Sequence, residues 1–563
     1  MKTIIKLFVF SVVVASMALF TACTDESLNV IPKDSITALT LFGDEKSADL
    51  NLMDVYTNLP DMEGQGNPDA YFQYDNWENW SDNTVSNFDW ATSFVATQER
   101  SMGADVYNPG WYNHSYPAIP FIYDRMYQYI RKANFFIENV NINASKFSDN
   151  WKKTRLAEAR FLRAFYYHEL LMAYGGVPII EKTLNLANDG ANVFYPRSTA
   201  KQTSNFIISE LKAAAADLPN EVSKGRATQA AALTLKAWVE LFSKNYAEAA
   251  NTCSDIMNLK VHGLFPKYND QFMAANNNNV ESIFAYQHDL VNKKTMRSAY
   301  YGPIGVYNTS STADRSGAMQ PTQSLVDEYK MKDGLPKELS PLWDPSKPYD
   351  NREPRFYASI IYNGAIFAGH TYSSTNLYNV PRGIRTGYFR RKGIDPTMTT
   401  TKLGSFIEAS NYAYFRYAEV LLMYAEAKIE LNQIDNTVID AIDQVRVRGG
   451  IPKLEISYNK SSFGQDELRQ ILRSERRIEF AFEQKRYWDL IRWRTAEIVL
   501  NQPYMGLTVD NAGNYVPVMV KTCSFHPEKN YLFPIYKAWI DINPKMKVQN
   551  DGIEFFNGQN PGY

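Results

Sequence analysis

Apolar residues recur at every third or fourth position in several separate blocks of the sequence, and this spacing places them on one face of an α-helix. One such block runs from about Trp151 to Tyr174. Gly175-Gly176 and Pro178 predict its end, because Gly accepts the left-handed cap and Pro cannot continue a helix. The pattern therefore predicts discrete helices that end at Gly and Pro. The stripe of the preceding block consists of Ile122, Met126, Tyr129, Ile130, Ala133, Phe136 and Ile137.

Further helices are expected in both halves of the chain. The segment AALTLKAWVELFSKNYAEAANTCSDIM, residues 231–257, places small Ala residues where two helices must approach closely, and it resembles a tetratricopeptide unit. We therefore predict a mainly α fold, a tetratricopeptide-like helical repeat scaffold with long loop-rich insertions. The additional helices are expected at residues 203–218, 227–243, 246–259, 414–430, 438–447, 465–482 and 487–500.

Two long segments show no sustained helical or strand period, and both are rich in Gly, Pro, Asn and aromatic residues. They divide the chain into an N-terminal helical region at 37–263 that contains an aromatic loop at 61–117, a loop-rich subdomain at 264–410, and a C-terminal helical region and tail at 411–563. Binding residues concentrate on long loops held by a rigid scaffold. The two irregular segments are therefore where we expect ligand contacts.

The N-terminus has the pattern of a lipoprotein export signal. Two lysines precede the apolar run from Leu7 to Phe20, and small residues lead into Cys23. The run has fourteen residues, whereas a helix needs about 20 to span a bilayer. We predict a signal peptide at 1–22, lipidation of Cys23 and a tether at 23–36. The alternative is an ordinary secretory signal with a coincidental Cys.

Composition excludes several classes of protein. With 45% apolar and 21% charged residues the chain is of the ordinary globular type, and a net charge of −2 gives no support for a nucleic-acid partner. Cys253 and Cys523 could pair in an oxidising compartment, but no spacing pattern favours it.

No catalytic or metal motif is complete. His168-Glu169 opens like a zinc-protease HExxH, but Met172 occupies the position of the second His. We therefore expect no metal, no cofactor and no enzyme. A carboxylate pair for glycoside hydrolysis stays open as an alternative, because the distance that such a pair requires is set by the fold and not by its spacing in the sequence. Asp75, Asp82 and Asn83 could supply oxygens to Ca²⁺, but their spacing is not that of an EF-hand, and solvated carboxylates are the simpler interpretation.

The aromatic loop is the preferred candidate for ligand binding. Between Tyr71 and Tyr116, twelve of forty-six residues are aromatic, and Trp90 and Trp111 are among them. Sugar rings stack an apolar face on such rings, while their hydroxyls need amide and carboxylate partners. The alternative is that the loop buries its Trp residues to hold itself together. From this loop and from a second segment the candidates are Trp77, Trp80, Asp82, Asn83, Tyr300, Tyr301, Tyr307 and Asn308. We expect the aromatic rings of the two segments to converge into one arc.

The charged run from Arg473 to Glu483 has a structural interpretation. Glu475 and Glu479 lie one helical turn apart, as do Arg473 and Arg477, so opposite charges are neighbours at three and four positions. We expect a salt-bridge network that binds adjacent helices.

Several stretches together resemble the RagB/SusD-type nutrient-binding lipoproteins of the Bacteroidetes outer membrane. The most specific is ERRIEFAFEQKRYWDLIRWR at 475–494. Asp25 and Glu26 after Cys23 also resemble the signal that carries such lipoproteins to the outer face of the outer membrane. The other stretches are ARFLRAFYYHELLMAYGGVPII at 159–180, KGRATQAAALTLKAWVELF at 224–242, RYAEVLLMYAEAKIEL at 416–431 and YLFPIYKAWIDINPKMKVQN at 531–550.

The resemblance implies a tetratricopeptide-like, non-catalytic protein that captures glycans at the cell surface. It also implies a partner, a SusC-like TonB-dependent transporter, and attachment to the outer membrane through the lipid on Cys23. Two alternatives remain open. The chain could serve mainly as a lid on the transporter with little binding of its own, or it could bind a non-sugar nutrient such as a peptide.

Overall fold

The computed structural model describes most of the helical regions and part of the irregular ones. The described residues are 38–63, 77–86, 118–221, 224–295, 297–303, 317–375, 385–397, 408–547, 555 and 557–563.

Ten longer helices form the body of this part of the chain. They are α1 (Glu45–Tyr56), α2 (Ala118–Ile142), α3 (Asp149–Tyr174), α4 (Ala200–Asp217), α5 (Gln229–Phe242), α6 (Tyr246–Leu259), α7 (Tyr417–Glu430), α8 (Asn436–Arg448), α9 (Gln465–Glu479) and α10 (Arg486–Trp493). Shorter helices span Ala38–Leu41, Leu186–Asp189, Arg297–Tyr301, Gln323–Glu328, Pro354–Ser359, Leu454–Tyr458, Ala496–Val499 and Lys537–Ile542.

The helices pack mainly on their neighbours in sequence. α3 packs between α2 and α4, α4 packs on α5, and α5 packs on α6. α6 then packs on α7, although residues 260–416 separate the two helices in the chain. The irregular insertion therefore interrupts a helical pair without separating its members. The prediction of a mainly α, tetratricopeptide-like scaffold is confirmed.

Local sequence explains where these helices begin and end. The hydroxyl of Thr199 accepts a hydrogen bond from the backbone N–H of Gln202, whose side chain bonds back to the backbone of Thr199, and this capping box starts α4. Gly175 ends α3 with φ of +70°, and a Cβ on Gly176 would lie 2.0 Å from the carbonyl oxygen of Ser198. The predicted Gly-Gly stop is thus confirmed.

Three apolar cores stabilise the body. The first lies among α1 to α6 and the tail, the second within the insertion, and the third among α7, α8 and α9. Cys253 is a free thiol buried in the first core, so it forms no disulfide.

Strands are short and pair only in twos within the described residues. β1 (Thr84–Val85) pairs with β3 (Gln320–Pro321), and β2 (Ser282–Tyr286) pairs with β8 (Tyr412–Arg416), in both cases antiparallel. The remaining antiparallel pairs join β4 (Ile360–Ile361) to β7 (Phe389–Arg390), β5 (Ile366–Phe367) to β6 (His370–Thr371), and β9 (Tyr504–Val509) to β10 (Tyr515–Lys521).

Candidate ligand-binding region

Described residues of the two irregular segments contact each other. β1 and β3 are paired, and the side-chain amide of Asn79 donates to the carbonyl oxygen of Ala318 at 2.9 Å. The backbone N–H of Thr322 donates to the carbonyl oxygen of Asn83 at 2.9 Å. Residues 77–86 and 317–322 therefore form one unit, which we call the loop base.

The second segment leaves and returns at one point beside this unit. The backbone N–H of Gly317 donates to the carbonyl oxygen of Gly302 at 3.0 Å. Gly302 and Gly317, which lie on either side of residues 304–316 in the chain, are therefore neighbours, and Gly317 lies close in sequence to the strand that pairs with β1. The loop base thus brings together residues 77–86, which directly precede 87–117, and residues 317–322, which directly follow 304–316. We call these two stretches the roots of the irregular segments.

Ion pairs and a hydrogen bond attach the loop base to α9 and α10. Asp82 forms ion pairs with Arg477 at 2.7 Å and with Arg486 at 2.8 Å, and Arg477 Nε donates to Asn83 Oδ1 at 2.8 Å. Arg477 also pairs with Glu328 at 2.9 Å. Burial alone would raise the pKa of Asp82, but the two guanidinium groups outweigh it and hold the pKa below its ordinary value.

Glu78 fixes the turn between α9 and α10. Its carboxylate accepts hydrogen bonds from the backbone N–H of Phe482 at 2.9 Å and of Gln484 at 3.1 Å. These two residues have φ of +68° and +66°, a left-handed conformation that costs a non-Gly residue about 1–3 kcal/mol. Burial raises the pKa of Glu78, against the effect of these hydrogen bonds. The loop base and the turn therefore hold each other in place.

The charges of the 475–494 stretch form a wider buried network. The Glu479 carboxylate by itself forms ion pairs with three arginines, which are Arg355 at 3.0 Å, Arg416 at 2.7 Å and Arg448. The expected structural network is confirmed, but its ion pairs reach other elements of the fold rather than neighbours three or four positions along α9. The cluster around Glu479 holds five cations and five carboxylates, which are Arg355, Lys392, Arg416, Arg446, Arg448, Glu281, Glu353, Glu475, Glu479 and Glu483.

This network predicts acid sensitivity. Burial would raise the pKa of Glu483, but Arg416 and Lys392 lower it to about 2, and the pKa values of Glu479 and Asp82 are also lowered. A carboxylate with a folded pKa below its unfolded value of about 4 stabilises the fold above the unfolded pKa and loses that contribution as pH falls. We expect the free energy of unfolding to fall between about pH 5 and pH 2. Urea unfolding over a pH series checks this, and a flat profile across that window would contradict it.

Two of the proposed stacking rings are not exposed. Trp77 and Trp80 are each 2% exposed. Trp77 stacks on Tyr487 at 5.6 Å and on Phe533 at 6.0 Å, and Trp80 packs edge-on against Trp77. The expectation of free ring faces is therefore wrong for both, because the segment buries its rings against α10 and the tail to hold itself on the scaffold.

The polar candidates of the same segment are also occupied. Asp82 and Asn83 bind arginines of α9 and α10, so their oxygens are neither solvated nor free for Ca²⁺ or sugar hydroxyls. The sequence contains a signal for this arrangement. The 475–494 stretch is rich in arginines that need acidic or amide partners, and Asp82 and Asn83 are residues of that kind. Asp75 lies outside the described residues.

The second set of candidates divides. Tyr301 is 2% exposed and lies under the guanidinium of Arg390 at 5.1 Å, so the expectation of an exposed ring is wrong there too. Tyr300 lies in the short helix Arg297–Tyr301, and its side chain falls outside the described part of the structure. Tyr307 and Asn308 lie outside it entirely, as does Cys23.

His168 is packed between Phe165 and Trp238, with ring centroids at 6.0 Å and 4.8 Å. Among the described residues, no group of three or more His, Cys, Asp or Glu side chains is placed to hold a metal ion. None of the helices in that part of the chain is both long enough and apolar enough to cross a bilayer.

The fold and the loop base define a class of protein in which a rigid helical-repeat body braces two irregular segments at a common root. Residues 280–553 match the model of the SusD family, and residues 43–241 match the model described as starch-binding associating with outer membrane. The chain belongs to the SusD family.

Individual relatives agree with this assignment. The chain is 27% identical over 407 residues to SusD-like protein P38 of Formosa agariphila, which covers 69% of this chain and 75% of that protein. It resembles the crystal structure of a SusD-like protein of Bacteroides fragilis with a TM-score of 0.77 and 28% identity, over 95% of this chain and 99% of the other. A second Bacteroides fragilis structure, described as a SusD-like carbohydrate-binding protein, matches with a TM-score of 0.74 and 27% identity over 90% and 100% of the two chains.

Proposed function

We propose that this protein is a non-catalytic glycan-binding protein of the cell surface that captures polysaccharide or oligosaccharide and delivers it to a SusC-like TonB-dependent transporter. It would be held on the outer face of the outer membrane by lipid on Cys23. Membership of the SusD family supports this proposal, as do a family model described as starch-binding and a 27% identical relative described as carbohydrate-binding.

The observation that carries the proposal is the shared root of the two irregular segments. A shallow sugar site needs rings from more than one segment at fixed separations, because each stacked ring contributes only a little affinity. The loop base supplies fixed separations, since ion pairs and strand pairing join both roots to α9 and α10. We therefore propose that the ligand contacts lie on residues of the two segments outside the loop base rather than in it.

Four side chains outside the loop base are the proposed contacts. Tyr307 and Asn308 combine a ring with an amide at adjacent positions, and Trp90 and Trp111 belong to the segment that follows β1.

Replacement of the second segment's candidates tests the placement. We expect Tyr307→Ala and Asn308→Ala each to weaken the affinity for a retained glycan about tenfold, because one loses a stacking face and the other a hydroxyl partner. Affinity gel electrophoresis on a polysaccharide panel, followed by calorimetric titration, measures the change. Tyr424→Ala on α7 is the matched control, since it removes a partly buried ring of the helical scaffold that lies outside both segments. Unchanged retention in both loop variants would contradict the placement.

The same titration separates the proposal from its rivals. A transporter lid with no binding of its own gives no heat with any glycan, and a peptide-binding protein gives heat with oligopeptides instead. New reducing ends after incubation with polysaccharide would indicate a hydrolase. Co-purification of a TonB-dependent transporter with the tagged chain from outer membranes tests the delivery step.

A further inference from the structure

A groove with a volume of about 310 Å³ lies between α2, the residues that follow α3, and the tail. On α2 it is lined by Tyr123, Tyr127 and Arg131, which share one helix face. Tyr195 and Trp539 line the other walls. Residues from three separate stretches of sequence thus converge on one concave surface that contains no part of the loop base.

The aromatic wall of the groove is built into the fold. Tyr123 stacks on Trp539 with ring centroids 4.8 Å apart and an angle of 18° between the planes. The hydroxyl of Tyr127 donates to the carbonyl oxygen of Pro178 at 2.7 Å, and the side-chain amide of Asn543 donates to the carbonyl oxygen of Tyr195 at 2.9 Å. The tail is therefore fastened to the other two walls, and the groove exists without a ligand.

The rim of the groove has polar groups available. In the described part of the chain, the Arg131 guanidinium forms no ion pair or hydrogen bond, and neither the Tyr195 hydroxyl nor the Trp539 indole N–H has a hydrogen-bond partner. Asp124 faces the same space, and its carboxylate accepts one hydrogen bond, from Gln128 at 2.9 Å. The groove therefore offers a ligand both hydrogen-bonding groups at its rim and the apolar surface of partly buried rings.

We propose that this groove is a second carbohydrate site that binds a short oligosaccharide. Its volume lies at the lower end of the range for small-ligand sites, about 300–1,000 Å³. The rings of Tyr127, Tyr195 and Trp539 offer apolar surface to a sugar ring, and Arg131 and Asp124 offer a donor and an acceptor to hydroxyl groups. An apolar helix of a partner protein would leave those polar groups unpaired, which disfavours it as the occupant.

Hydrogen exchange followed by mass spectrometry tests the site on the chain from residue 24 onward. The probes are maltoheptaose, laminariheptaose, cellohexaose, xylohexaose and an oligogalacturonate, each at millimolar concentration. We expect at least one of them to slow exchange several-fold in both residues 123–134 and residues 536–547. An effect from the oligogalacturonate alone would assign Arg131 to a sugar carboxylate, whereas an effect from a neutral probe would assign it to hydroxyls. No protection in these two segments with any probe would overturn the proposal.

Variants distinguish binding in this groove from binding at the contacts proposed for Tyr307 and Asn308. We expect Arg131→Ala and Trp539→Ala each to weaken binding of the protecting probe about tenfold. Trp343→Ala, a partly buried Trp of the insertion, is the matched control. Arg131 is exposed, so its replacement leaves the fold intact even if Trp539→Ala does not. If the probe still protects the groove in Tyr307→Ala, the groove is an independent site. If protection is lost in Tyr307→Ala but kept in Arg131→Ala and Trp539→Ala, the proposal is overturned.

Discussion

Replacing Glu479 with glutamine is expected to lower the free energy of unfolding by about 3–5 kcal/mol, the usual cost of removing one partner of a buried ion pair. Its carboxylate is shared by Arg355, Arg416 and Arg448, and all four side chains are buried. The substitution keeps the size of the side chain and removes only its charge. Three guanidinium groups would then remain in the core with one carboxylate fewer to neutralise them.

Urea unfolding followed by circular dichroism near neutral pH measures the loss. Glu467→Gln is the matched control, since Glu467 is a glutamate of the same helix that pairs with Lys460 at 2.5 Å on the surface. Exposed pairs contribute about 0–1 kcal/mol, so the control is expected to change stability little. Equal effects from the two variants would mean that the buried cluster contributes no more than a surface pair.

The same cluster explains how much of the fold the sequence could predict. Helix positions follow from apolar spacing, and the Gly175-Gly176 stop follows from backbone sterics, because both depend on residues close together in the chain. The pairing of α6 with α7 depends on residues on either side of the 260–416 insertion. No local period reports a contact of that kind. The sequence does not predict the ion-pair partners of Glu479 for the same reason, since they come from the insertion, β8 and α8.

The candidate site shows a second limit. A Trp in an irregular segment can be a ligand platform or the segment's own core, and composition is the same in both cases. Trp77 and Trp80 belong to the core because Tyr487 and Phe533, distant in sequence, cover their faces. The groove was missed for the complementary reason. Tyr123 and Trp539 are unremarkable in their own stretches and form a surface only when the tail packs on α2.

The strained turn at Phe482 and Gln484 connects the scaffold to the irregular segments. Non-Gly residues keep a left-handed backbone only where surrounding contacts determine it, and here the contact is Glu78 of the loop base. The most specific stretch of the sequence, 475–494, therefore acts on the segments through hydrogen bonds and ion pairs. Under the proposed function, this stretch would affect binding without contacting the ligand.

Asp82→Ala tests that link, and it is expected to weaken glycan affinity without removing a ligand contact. Among the described residues, the substitution removes the ion-pair partner of Arg486 and leaves Arg477 with Glu328 as its ion-pair partner. We expect the free energy of unfolding to fall by about 3 kcal/mol. We also expect hydrogen exchange to accelerate at residues 77–86 and 317–322, because these stretches lose the two ion pairs that help to attach them to α9 and α10.

Two comparisons distinguish a local effect from general destabilisation. Asp327→Ala removes a partly exposed carboxylate that pairs with Lys337 at 2.7 Å close to the same region, and it is expected to change neither exchange at the loop base nor affinity. Glu479→Gln is expected to lower stability at least as much as Asp82→Ala while leaving the attachment of the loop base intact. If affinity falls in proportion to stability across Asp82→Ala and Glu479→Gln, the loop base has no special part in binding. If affinity falls with Asp82→Ala alone, the geometry of the irregular segments is set by the ion pairs beneath them.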